Sequence, residues 1–190
     1  VWQAAPAYPH RHAGAVLVCG FAWTLQEDFA KARALRPDAP VIVVNGAAAF
    51  TKALALFSSH HGPNKLGVWA RQQRESFGSG CMVHGSTSLA KASEFSKKYP
   101  YVDHWWPEAK GVGTSVWAAR KMAEMIGFEE FILCGMPLER GPYANQTMAR
   151  DFRHQVVRNI YRNYIRDDTQ WHHGVKAMSG WPRKFFGEPS

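Results

Sequence analysis

The chain has 190 residues, 46% of them hydrophobic and 20% charged, which suits one globular domain whose core needs no staples. No apolar run approaches the ~20 residues of a membrane-spanning helix, so a membrane span is excluded from the expectation. A formal net charge of +8 favours an anionic partner, with nucleotide phosphates, nucleic acid and an acidic glycan all suitable.

No basic, apolar and small-residue leader opens the sequence, and it begins at Val1 instead of Met. Cys19, Cys81 and Cys134 each fall in or beside an expected strand, and neither their number nor their spacing fits a zinc site or a disulfide framework. Buried reduced thiols and a cytoplasmic setting are therefore expected.

Residues 1–14, with Pro6, Pro9 and His10-Arg11-His12, read as an irregular lead-in to a single domain over 15–190. Ala15 to Gly20 is a buried first strand. Thr24 and Glu27 then form a capping box for a helix with Leu25, Phe29, Ala32 and Leu35 inward. Val41 to Val44 is a β-branched strand ending at Asn45-Gly46, and Leu54 to Phe57 is a third that finishes in Ser58-Ser59-His60-His61. A helix within 64–74 follows, with Pro63 near its start. Short strands are expected at Cys81 to His84 and Val102 to Trp105, with a helix over Ser88 to Lys98 between them.

The most informative stretch is Gly113 to Leu138. Thr114 and Ser115 are placed to cap a helix whose inward face is Val116, Ala119, Met122, Ala123 and Ile126. Gly127 stops it, and Phe131 to Cys134 is a buried strand ending at Gly135. Loop, helix, turn and strand in that order are the repeating unit of a parallel α/β sheet. A long helix over 147–167 turns Phe152, Val156, Ile160 and Tyr164 inward, and Val175 to Met178 is a last strand before a short helix or tail over 180–190. The fold class expected is α/β, a doubly wound, mostly parallel, Rossmann-like sheet.

In such sheets ligands sit at the carboxyl ends of strands and at helix N-termini. The turn Gly20-Phe21-Ala22-Trp23-Thr24 has one glycine and two aromatics, so a dinucleotide fingerprint is absent and no phosphate-binding Walker motif occurs. Gly20 and Thr24 suit either a smaller nucleotide or a plain capped turn. Asn45 can read a nucleobase or ribose edge, or hold its own turn. Gly113, Thr114 and Ser115 offer N–H groups and hydroxyls to a phosphate, as does Gly135 at a strand end, while Ser59, His60 and His61 are candidates for contact with substrate. A general base requires one histidine near a substrate hydroxyl. No metal-ligand spacing occurs among the histidines, and neither a metal nor a separate cofactor is expected. His154, Arg158, Arg162 and Arg166 share one helical face, with Arg150 in line; this is a solvated stripe or a rail for phosphates.

The first strand and capped helix, the strand ending in Asn45, Thr114-Ser115 opening a helix, and Gly127-Phe128-Glu129-Glu130-Phe131-Ile132-Leu133-Cys134-Gly135 together resemble the bacterial sialyltransferases that use CMP-sialic acid. They equally resemble a related, often phage- or prophage-encoded group of Rossmann-like proteins that includes archaeal 6-hydroxymethylpterin diphosphokinases. The resemblance spans roughly residues 15–145. It implies a metal-independent glycosyltransferase in which Asn45 contacts the cytidine nucleotide and Ser115 lies in the donor site. Tyr143 would stabilise the leaving phosphate, and a histidine from His154, His172 or His173 would be the base. The family's first turn reads Gly-Asn-Gly-Pro-Ser, whereas this chain has Gly20-Phe21-Ala22-Trp23-Thr24, and Val116 stands where the family has glycine. The alternatives are a Mg²⁺-dependent pyrophosphokinase, with Asp103 and Glu108 as candidate ligands, and a non-catalytic basic protein that binds nucleotide or nucleic acid.

Overall fold

A computed structural model describes residues 11–60, 62–78, 80–107, 114–142, 154–167 and 172–190, with backbone alone at 89, 107, 154–156 and 164–167. Seven strands are described: β1 (Ala15–Cys19), β2 (Val41–Val44), β3 (Ala55–Ser58), β4 (Met82–Thr87), β5 (His104–Pro107), β6 (Glu130–Cys134) and β7 (Val175–Ala177). They form one sheet in the order β5-β4-β3-β2-β1-β6-β7, and every neighbouring pair is parallel. The helices are α1 (Leu25–Leu35), α2 (Val68–Phe77), α3 (Ala92–Lys98), α4 (Ser115–Met125), α5 (His154–Asp167) and α6 (Gly180–Phe186). This is the doubly wound Rossmann-like architecture expected, and its strand order reverses between β1 and β6.

Strands buried on both faces need apolar residues at every position, which explains the unbroken runs in β1, β2 and β6. Successive side chains alternate between two cores. Val16, Val18, Ile42, Val44, Phe57, Phe131 and Leu133 face α4, α5 and α6. Leu17, Cys19, Val41, Val43, Leu56, Ile132 and Cys134 face α1, α2 and α3. Cys19 and Cys134 are register partners, buried and unoxidised. Their mutual hydrogen bond first, and burial second, hold the Cys134 thiol well above its ordinary value.

The Thr114 hydroxyl accepts from the Trp117 N–H at 3.2 Å, so it caps α4 as expected. The expected inward face of that helix is buried, but so are Trp117, Ala118 and Arg120. The cause is a second layer: Trp117 packs on Tyr161 of α5 and Phe186 of α6, with ring centroids 4.9 and 5.5 Å apart. Arg120 is fully buried, its guanidinium over the Phe131 ring and donating to the His173 carbonyl at 2.9 Å and to Glu124.

Several expectations are corrected. Thr24 does not cap α1 through its side chain, and Glu27 pairs outward with Lys31. The Thr24 hydroxyl instead lies buried 3.1 Å from Ser179 Oγ. Leu35 is exposed, and the inward position of α1 that it was expected to share is taken by Asp28. β4 runs on past His84 to Thr87, and β5 starts two residues later than expected because Asp103 uses its carboxylate to accept from the Val83 N–H at 2.7 Å. The inward residues described on α5 are Val157, Tyr161 and the half-buried Ile160, and the expected start of that helix lies outside the described residues. At the sheet's other end, the Ala177 N–H donates to the Gly187 carbonyl, and Arg36 donates to the Ser190 carbonyl.

Candidate functional site

All strands run the same way, so their carboxyl ends share one rim, which carries the residues following β1 to β6. The rim has two parts. At the switch point between β1 and β6 the loops are fastened to each other. Gly20 N donates to the Cys134 carbonyl at 2.8 Å and Ala22 N to the Gly135 carbonyl at 3.1 Å. A Cβ on Gly20 would stand 2.7 Å from the Gly135 carbonyl oxygen, and one on Gly135 would stand 2.4 Å from that of Gly20. The buried Asp28 carboxylate accepts from the Gly135 N–H at 2.9 Å and from the Ser179 hydroxyl at 2.6 Å. Phe21 lies against Gly46, where a Cβ would meet its ring at 2.6 Å. Gly20, Thr24 and Gly135, expected to hold a nucleotide, are therefore occupied with closing this part of the rim.

The second part lies over β2, β3 and the first turn of α4. Asn45 directly follows β2 with φ 55°, a left-handed conformation that asparagine tolerates better than most residues. Its Oδ1 accepts from the buried Ser58 hydroxyl at 2.7 Å, and the Ser58 oxygen accepts from the His60 N–H at 2.8 Å. Ser115 Oγ lies 3.4 Å from Ser59 Oγ, joining the start of α4 to the end of β3. The Ser115 and Val116 N–H groups stand in the first turn of α4, ahead of any intrahelical partner, at the positive end of the helix. The Thr114 hydroxyl is shared between its cap and the Tyr161 hydroxyl at 2.8 Å. Desolvation first, and the charge of Lys65 second, hold the exposed His60 imidazole below its ordinary value, which favours the neutral form that can accept a proton. Asn45, Ser58, Ser59, His60 and Ser115 thus form one polar cluster of donors and acceptors at a helix N-terminus.

Other expected residues fall elsewhere. His172 and His173 precede β7 and lie at the amino edge of the sheet, where Gly174 bonds the start of β6. The length of β7 separates them from the rim that carries Asn45 and Ser115. Gly113, Tyr143 and His61 lie outside the described residues, as does the side chain of His154. Of the arginine stripe, Arg158 is turned inward: it donates to the Leu138 carbonyl and sits over the Trp181 ring, which Arg162 also covers. Asp103 belongs to the amino edge and Glu108 lies outside the described residues. Among the described residues no three His, Cys, Asp or Glu side chains converge as metal ligands. None of the helices among them is long and apolar enough to cross a membrane.

Ser58 was expected on the rim but not as the residue that holds Asn45, and Asp28 was not foreseen at all. Ser58 carried a local signal, a polar residue closing an apolar strand. Asp28 carried none, because its partners lie 107 and 151 residues away.

No protein-family model matches the chain, and no curated protein matches it in sequence. Among solved structures it is similar to the MAf glycosyltransferase from Magnetospirillum magneticum AMB-1, with a TM-score of 0.59 and 12% identity over 94% of this chain. The chain spans 34% of that protein's length. At this identity the likeness is one of fold.

Proposed function

We propose that the chain is the donor-binding domain of a nucleotide-sugar-dependent glycosyltransferase of the CMP-sialic-acid-using kind. The observation that carries this reading is the polar cluster over β2, β3 and α4. Asn45 has the donor and acceptor atoms that a cytosine or ribose edge needs. Ser115 and the first N–H groups of α4 suit the phosphate, and they would stabilise it as it departs through hydrogen bonds preorganised before the reaction. His60, largely neutral near pH 7, stands on the same rim to take the proton of an acceptor hydroxyl. The sequence resemblance and the glycosyltransferase fold of the similar structure support the same class. Phage origin remains part of the proposal through the resemblance alone.

The pyrophosphokinase alternative has less support, because Asp103 is committed to the Val83 N–H. The nucleic-acid rail has less as well, because Arg158 is committed to Leu138 and Trp181.

Thermal denaturation with CMP, CDP, UDP, GDP, ATP and nucleotide sugars, with and without Mg²⁺, tests the reading. A cytidine nucleotide at 100 times its Kd should add about 2.7 kcal/mol, independently of Mg²⁺. Stabilisation by ATP alone and only with Mg²⁺ would favour the pyrophosphokinase; silence across the panel would remove the transferase reading.

A further inference from the structure

Trp23 is 46% exposed, whereas Trp105, Trp106, Trp117 and Trp181 are all buried. It follows β1 at the carboxyl rim, and its placement is tightly determined. Its backbone N–H donates to the Pro142 carbonyl at 3.2 Å. The pyrrole edge of its indole rests on Gly141, where a Cβ would come within 1.9 Å of Nε1. The loop beneath is strained: Leu138 holds φ 50°, an outlier for a bulky residue, and Arg158 grips its carbonyl. Folding alone asks for none of this. An exposed indole gives up burial, and backbone strain of this kind collects where a ligand is clamped.

We propose that Trp23 is a stacking platform for a sugar ring, the acceptor pyranose of the transfer described above, on which this inference rests. Two strand spacings, about 10 Å, separate the ends of β3 and β1, which leaves room for the donor's nucleotide over Asn45 and Ser115 and for a second sugar beside it. A flat aromatic face takes the apolar C–H face of a pyranose, and a few polar groups around such a face fix orientation. Glu139 and Arg140, in the same loop, offer an acceptor and donors to ring hydroxyls. Glu139 and Arg140 are adjacent and opposite in charge, so the loop brings no net charge to the platform, which suits a neutral sugar.

Nitrogen-labelled protein tests this without any turnover. The Trp23 indole N–H resonance is identified by its loss in Trp23→Phe, and is followed against methyl glycosides of glucose, galactose, mannose, N-acetylglucosamine and sialic acid, and against CMP. At least one glycoside should shift it saturably while CMP leaves it in place. Trp23→Ala should weaken that glycoside about tenfold or more while keeping the CMP-induced rise in Tm. A resonance unmoved by every glycoside, or moved by CMP alone, overturns the platform. Glycoside binding at Trp23 without any nucleotide stabilisation would keep the platform and remove the transferase reading instead.

Discussion

The rim over β1 and β6 and the rim over β2 and β3 are built from similar small and polar residues, yet they are put to opposite uses. At the first, Gly20 and Gly135 bring two loops into backbone contact and Asp28 ties them to Ser179. At the second, Ser58 holds Asn45 in place and Ser115, in the first turn of α4, reaches Ser59. The position where a dinucleotide fold keeps its glycine turn is here a structural clasp, and the proposed nucleotide site lies one strand over. Glycines at a strand end therefore identify close approach, and only the neighbouring atoms say whether the approach is to a ligand or to another loop.

The clasp can be broken outright. Gly135→Ala places a methyl group against the Gly20 carbonyl at a φ of 63°, and should cost about 3 kcal/mol or more in urea denaturation. A loss below 1 kcal/mol would mean that the two loops are not fastened together. The effect of acid is of comparable size but spread over several pH units. His84 is fully buried, with Nδ1 accepting from Trp106 Nε1 at 2.9 Å; burial, and to a lesser extent His104, push it down to about 3. The unfolded chain takes up that proton near pH 6.5, so stability is full above that value. It should then fall by roughly 1.4 kcal/mol per pH unit on the way towards pH 3. His84→Asn, which keeps an acceptor for Trp106, should show a shallower slope.

Smaller changes sharpen the contrast between the two rims. Asn45→Ala and Ser115→Ala should each weaken cytidine nucleotide about tenfold by calorimetry, while Thr24→Ala leaves the affinity unchanged. Equal losses at all three positions would erase the distinction. The smallest expected effect is from Asn45→Gly, which relieves the left-handed backbone but drops the bond to Ser58. The two changes should nearly cancel, leaving stability within about 1 kcal/mol and nucleotide affinity as low as in Asn45→Ala.

The strands were legible wherever burial on both faces demanded a continuous apolar run, as in Val41 to Val44 and Phe131 to Cys134. They were blurred where polar residues are buried in a strand: His84 read as a strand end, yet β4 continues through the buried Ser86 to Thr87. Thr24 looked like a helix cap because capping is a local pattern, whereas its actual neighbour, Ser179, is distant in sequence. Of the candidate site, Asn45, Ser59, His60 and Ser115 were visible as strand-end and helix-start residues. His172 and His173, expected among the candidate bases, precede β7 at the amino edge of the sheet, away from that cluster.

The C-terminal segment has a consequence for assembly. β7 is an outermost strand, and an open parallel edge is an invitation for another chain to add itself. Here the outward N–H of Ala177 is already occupied by the Gly187 carbonyl, and Arg36 tethers Ser190 beside it. The turn after α6 therefore works as a stopper on sheet growth. Trimming residues 187–190 would uncover that edge and remove the buried Pro189 with it, so adhesion between copies along β7 is the outcome to expect.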